Sequence, residues 1–248
     1  MDYKLEICTD SLISSLIAQE AGADRIELCT NLLEGGTTHS YGTIIAVREK
    51  MNIELNVIIR PRGGDFLYSE HELEIMKKDI RMCRDLCVDG IVLGILKPDG
   101  TIDTQRTSEL IDLAYPLKVT FHRAFDMCSD PFKGLEDVIS TGALRLLTSG
   151  QKNRAEEGQD LIGNLVSQAG NRLIIMPGGG ISDDNIETIA KSTGATEFHM
   201  TGRKTIQSEM QFRREEIKMG GISSLSEYYQ KVADQDLIKR VIHILNII

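Results

Sequence analysis

The stretch Gly22-Ala23-Asp24-Arg25-Ile26-Glu27-Leu28-Cys29 decides the fold. Leu12, Ile13, Leu16 and Ile17 before it form an apolar stripe at helical spacing. Gly22 then ends that helix, because glycine supplies the left-handed turn that closes one. A short strand follows at once. The same junction of helix stop and strand recurs at Gly142-Ala143-Leu144 and Gly194-Ala195-Thr196. Working outward, runs with strand character appear at Lys4–Cys8, Arg25–Cys29, Leu55–Pro61, Gly90–Leu96, Lys118–Arg123, Arg145–Ser149, Arg172–Pro177 and Glu197–Thr201. They start roughly 20–35 residues apart, the length of a strand plus a crossover helix.

The gaps carry helix chemistry. Leu73, Ile75, Met76, Ile80 and Met82 make a second stripe, Ser69 with Glu72 reads as a capping box, and Asp130-Pro131 sets a cap before a first-turn proline. Strands alternating with helices imply a parallel sheet. Eight such units in 248 residues predict an α/β fold, a single-domain (β/α)8 TIM barrel over residues 1–248. A doubly wound open sheet is the competing architecture, but eight strands with no composition break suit closure better. Residues 203–225 have weak periodicity and are expected to cover the barrel mouth, ahead of a terminal helix over 226–245.

Composition narrows the function classes. The 28 basic and 37 acidic residues give a net charge of −9, which argues against a nucleic-acid partner. Apolar runs such as Ile91–Leu96 are far short of the ~20 residues a bilayer demands, and the N-terminus shows no signal-peptide pattern. Five cysteines, an odd number, in a chain too large to need staples predict reduced thiols and a cytoplasmic location.

Alternation across a strand assigns the lumen. Leu5, Ile7, Ile26 and Leu28 must meet the helices, which turns Glu6, Cys8, Arg25, Glu27 and Cys29 inward. The same reading turns in Ile58, Arg60 and Arg62, then His122, then Glu197, His199 and Thr201. Barrel interiors normally fill with Val, Ile and Leu, so charge here needs partners. Either the lumen is a self-satisfied plug of Glu–Arg pairs, or the charges gather at strand ends to hold a metal or a ligand. Ile59-Arg60-Pro61-Arg62-Gly63-Gly64-Asp65 forms a shaped loop whose guanidinium forks suit a carboxylate or phosphate, or bridge lumen carboxylates. Met176-Pro177-Gly178-Gly179-Gly180-Ile181-Ser182 puts glycine backbone at a helix start, where barrels hold phosphate, and Arg203 can complete that pocket. Arg123 joins His122 at the mouth. Cys8 and Cys29 end adjacent strands at equivalent heights, a placement that can bracket Cu(I) or simply fill space.

Taken together these strings resemble the CutC family, named for copper homeostasis. Leu5-Glu6-Ile7-Cys8, Gly22–Cys29, Glu34–Thr38, Ile59–Tyr68, Val119–Met127, Leu147–Gln151, Met176–Ile181 and Ala195–His199 carry the resemblance. It runs from the first strand to the last. His39 and Met200 depart from the expected pattern, outside the core motifs. The resemblance implies a cytosolic TIM barrel, a homo-oligomer, with copper as its metal and Cys8 and Cys29 as ligands; no organic cofactor is predicted. The residues themselves also admit an enzyme acting on a small anionic substrate, phosphorylated or not. There Glu27 and His122 would transfer protons, and Glu6, Arg60, Arg62, Asp65, Arg123, Gly178, Gly179, Gly180, His199 and Arg203 would line the pocket.

Overall fold

The computed structural model describes residues 3–220 and 226–248. All eight strand runs form strands: β1 (Lys4–Thr9), β2 (Arg25–Leu28), β3 (Glu54–Ile58), β4 (Gly90–Leu93), β5 (Lys118–Phe121), β6 (Arg145–Thr148), β7 (Ile174–Pro177) and β8 (Glu197–Met200). Between them lie α1 (Leu12–Ala21), α2 (Tyr41–Arg48), α3 (Glu70–Asp85), α4 (Thr104–Ala114), α5 (Pro131–Ser140), α6 (Gln159–Ala169) and α7 (Ile186–Thr193). Every pairing is parallel, and the sheet runs β7-β6-β5-β4-β3-β2-β1-β8. One parallel bridge, Gly178 to His199, joins β7 to β8 and closes the ring. This is the TIM barrel, and the open-sheet alternative is excluded by that bridge.

The caps form as their chemistry requires. Gly22 ends α1 in the left-handed region at φ 96°, its N–H bonded to the Ala18 and Gln19 carbonyls. The Ser69–Glu72 capping box is complete, and the Asp130 side chain accepts from the Phe132 and Lys133 N–H groups.

Two apolar regions hold the barrel. The larger is the shell between strands and helices, where Leu5, Ile7, Ile26, Leu28, Val57, Ile91, Leu93 and Phe121 are fully buried. The smaller lies inside the lumen and comprises Cys8, Cys29, Ile58 and Val92. Inward and outward alternation therefore follows the sequence reading.

The C-terminal part differs from it. Residues expected to start a helix at Ser226 instead form a turn and a strand. β9 (Arg203–Gln207) pairs antiparallel with β10 (Tyr229–Ala233), and α8 (Gln235–Ile247) begins only after Asp234, whose side chain caps it. The reason is local. The apolar stripe that docks α8 starts at Ile238 and continues through Val241 and Leu245, while Tyr229 and Val232 suit a strand. Of the segment expected over the mouth, residues 221–225 lie outside the described residues.

Candidate metal and ligand site

Two layers of polar side chains fill the lumen, and they behave differently. The lower is an ionic network whose charges pair with one another, leaving Asn56 Oδ1 and Arg145 Nη1 without partners. Arg25 donates through Nε to Glu6 at 2.5 Å and through Nη2 to Glu197 at 2.8 Å, and Arg145 Nε reaches the same Glu197 oxygen at 2.6 Å. Asn56 adds a 3.2 Å bond to Glu6. Glu6 and Arg25 are 0% and 1% exposed, so these charges are sustained by one another. Burial alone raises the Glu6 carboxyl, but the Arg25 guanidinium and His199 overcome it and bring its pKa down to about 2. This layer is the Glu–Arg plug.

The upper layer, at the C-terminal strand ends, is not self-satisfied. Register sets Cys8 opposite Glu27 and Glu6 opposite His199. The sulfurs of Cys8 and Cys29 lie 3.2 Å apart. They do not sit at equivalent heights, as the sequence reading had it. Cys29 follows the end of β2, its N–H bonded to the Thr9 carbonyl at 2.9 Å, and the stagger of neighbouring strands brings its side chain back to Cys8. One ligand atom each from Cys8, Glu27 and His199 falls within 4.8 Å of the others. Glu27 Oε2 is buried with no hydrogen-bond partner. His199 Nδ1 bonds Glu6 at 2.7 Å, which orients the ring and leaves Nε2 as its ligating atom.

Electrostatics here follow from crowding. The Cys29 sulfur beside it, and burial, push the Cys8 thiol well above its ordinary range. Burial opposes a charged His199 ring, yet hydrogen bonds to Cys8 and Glu6 and the nearby carboxylates hold its pKa well above the usual value. Burial lifts Glu27 to about 7 despite His199, with Glu6 adding to the rise.

Above this layer opens a cavity of about 380 Å³, whose walls include Cys8, Glu27, His199, Arg60, His122, Arg123, Gly179, Gly180 and Arg203. The loops after β2, β3, β5, β7 and β8 thus all deliver side chains to one cup. Arg123 is held by Asp126 at 2.7 Å and Ser149 at 2.6 Å, and Arg203 approaches Asp10 at 3.4 Å. Gly178 is the bridging residue itself, and a Cβ there would come 2.5 Å from Leu147 Cδ1. Burial and the Arg60 charge pull His122 down to about 3. Near neutral pH its ring is uncharged, suited to donating a hydrogen bond rather than taking up a proton.

Arg62 and Asp65 are not in this cup. They pair with each other at 3.0 Å, and Arg62 also bonds Glu72 at 2.5 Å, bracing the loop against α3. Conversely, Asp126 was not singled out from the sequence. It accepts from the Ser149 N–H at 3.0 Å and the Gln151 N–H at 3.1 Å and so ties the β5 and β6 loops together. Its signal was its place three residues after Arg123, one turn of a 3-10 helix. A separate cavity at the opposite strand ends, lined by Gly170, Asn171, Gly194 and Thr196 among others, carries no titratable side chain.

A closed parallel barrel with sulfur, imidazole and carboxylate donors convergent at its C-terminal mouth defines a TIM-barrel protein with a candidate soft-metal site. The chain belongs to the CutC family, whose model matches residues 3–204. It is 51% identical over 228 residues to the family protein CutC of Chromobacterium violaceum, covering 92% of each chain. It is 49% identical over 232 residues to the copper homeostasis protein cutC homolog of Homo sapiens, covering 94% of this chain and 85% of the relative. The crystal structure of CutC from Streptococcus agalactiae matches with a TM-score of 0.77 at 37% identity, covering 80% of this chain and 98% of that one.

Proposed function

We propose that this protein serves copper homeostasis by binding Cu(I) through Cys8 and Cys29, with His199 as the adjoining nitrogen donor. The observation that carries this reading is the convergence of two sulfurs at 3.2 Å with His199 and Glu27 beside them. Two thiolates that share an ion at about 2.3 Å each must lie within about 4.6 Å of one another, and these do. Thiolate donors select soft ions, and a buried site slows oxidation of the metal it holds. The names borne by the human and mouse relatives support the same role.

Glu6 contributes from behind, fixing His199 by its 2.7 Å bond to Nδ1. Because Cys8 holds its proton tightly, loading must expel protons from the site. The reading places the protein in a reducing compartment, the cytoplasm, where both sulfurs stay as thiols. Self-association of the chain belongs to the same reading and is measured by sedimentation velocity.

The test is anaerobic titration with Cu(I) against a chromophoric chelator. One equivalent per chain is expected for the wild type and none for Cys8→Ser/Cys29→Ser. Full stoichiometry in the double variant sinks the proposal. Unchanged circular dichroism of that variant is the control for folding.

A further inference from the structure

Arg60 is a buried cation without a carboxylate. Only 4% of it is exposed, and its guanidinium is held by three main-chain carbonyls, those of Glu34 at 2.6 Å, Gly36 at 2.9 Å and Gly64 at 2.7 Å. Those acceptors are neutral, so they orient the fork without cancelling its charge, and Nε has no partner at all. A buried charge left in that state is costly unless an anion joins it.

A second unpartnered donor stands nearby. His122 is 5% exposed and its Nδ1 accepts the Ala124 N–H at 3.2 Å, which assigns the ring proton to Nε2. Gly94 packs against the same edge, so closely that a Cβ there would come 2.5 Å from Nδ1. The opposite edge therefore carries Nε2, which has no hydrogen-bond partner. Phe66 packs against both groups, its ring centroid 4.9 Å from Arg60 Cζ and 5.0 Å from the His122 ring. All three line the mouth cavity, together with the apolar Leu147, Met127 and Ile181.

We propose that this cavity binds a small organic oxyanion, its charge set against Arg60 and one of its oxygens accepting the Nε2–H of His122. The apolar lining suits a carbon body, and the cavity's volume of about 380 Å³ limits it to a small metabolite. Carboxylates and phosphate monoesters share the required chemistry. The proposal is independent of copper loading, although Cys8 and His199 border the same cavity and the ligand would lie beside the metal.

The test uses the metal-free protein, with inorganic phosphate and acetate as the two probes. Long-range nitrogen–proton NMR, with His122 assigned by loss of its signals in His122→Asn, reads which ring nitrogen carries the proton. The expected result is an Nε2–H tautomer whose signal moves on titration with one probe, phosphate marking a phosphorylated ligand and acetate a carboxylate. His122→Asn retains an acceptor for the Ala124 N–H and loses Nε2. It should weaken binding by about tenfold, the worth of one good hydrogen bond. Arg60→Lys, which keeps the charge, should bind better than Arg60→Met. An Nδ1–H tautomer, a signal that neither probe moves, or equal affinity in His122→Asn would each overturn the proposal. Cys8→Ser/Cys29→Ser should still bind the probe, so failure of the metal reading and failure of this one are told apart.

Discussion

Replacing Arg25 by methionine removes the cation at the centre of the lumen plug while keeping an unbranched side chain. Glu6 then retains only Asn56 and His199, and Glu197 retains Arg145. Breaking a buried pair from one side typically costs about 3–5 kcal/mol, and the surviving partners favour the lower end. A second route gives the same size. Holding the Glu6 carboxyl at about 2 against an ordinary 4.5 is worth about 3 kcal/mol, with Arg25 the largest of the forces that lower it. For a chain of this length about 3 kcal/mol lowers Tm by about 6–12 °C, readable by calorimetry at pH 7. The pH dependence carries a sign. A depressed carboxylate stabilises the fold above the unfolded pKa, and that contribution is lost as pH falls toward the folded value. The gap between wild type and variant should therefore narrow from pH 4.5 down to about 2. Glu6→Gln added to Arg25→Met should cost less than the two separate losses summed. A Tm drop below about 2 °C, or strict additivity in the double variant, would refute the reasoning.

Three further outcomes are expected. Wild-type His122 takes its proton at about 3 when folded and at 6.5 when unfolded, so stability falls as pH drops through 6.5, by about 2 kcal/mol at pH 5. His122→Asn should gain that amount relative to wild type between pH 8 and pH 5 in urea unfolding, and an unchanged difference counts against a buried neutral ring. Gly90→Ala would set a Cβ 2.8 Å from the Lys118 carbonyl oxygen and against Asn56, and should cost about 1–3 kcal/mol. Gly42→Ala, which meets nothing within 4 Å on helix α2, should stabilise by about 0.5 kcal/mol; similar melting of the two variants would contradict the packing described. Finally, Cu(I) uptake should release protons, measured by titration calorimetry in buffers of different ionisation enthalpy, and affinity should fall as the solution is acidified. Uptake independent of pH would place the metal away from Cys8.

The barrel was legible because strand runs recur with helical stretches between them along the whole chain, and the same glycine-led junction marks three of the repeats. Inward placement of Glu6, Cys8, Arg25, Glu27 and His199 followed from parity alone. Parity cannot give height, however. Glu6 and Glu27 read alike in sequence, yet one is locked into a plug by Arg25 and the other keeps a bare oxygen at the cavity. Strand stagger, a property of the closed ring, decides which is which. Arg60 and Arg62 likewise share parity, but β3 ends at Ile58. Beyond it the chain turns, sending Arg60 to the loop carbonyls and Arg62 outward to Glu72. The β9–β10 hairpin escaped notice because its exposed strands carry little alternation, with only Val232 and Ala233 buried.

The barrel's circumference is stitched by ladders everywhere except between β7 and β8, where a single bridge from Gly178 to His199 does the joining. Amide exchange should accordingly begin along that seam, the least protected line on the cylinder. The residue fastening it is also the proposed imidazole donor. Occupancy of the mouth by metal would therefore clamp the weakest joint of the ring, and slower exchange at β7 and β8 would report loading from a distance.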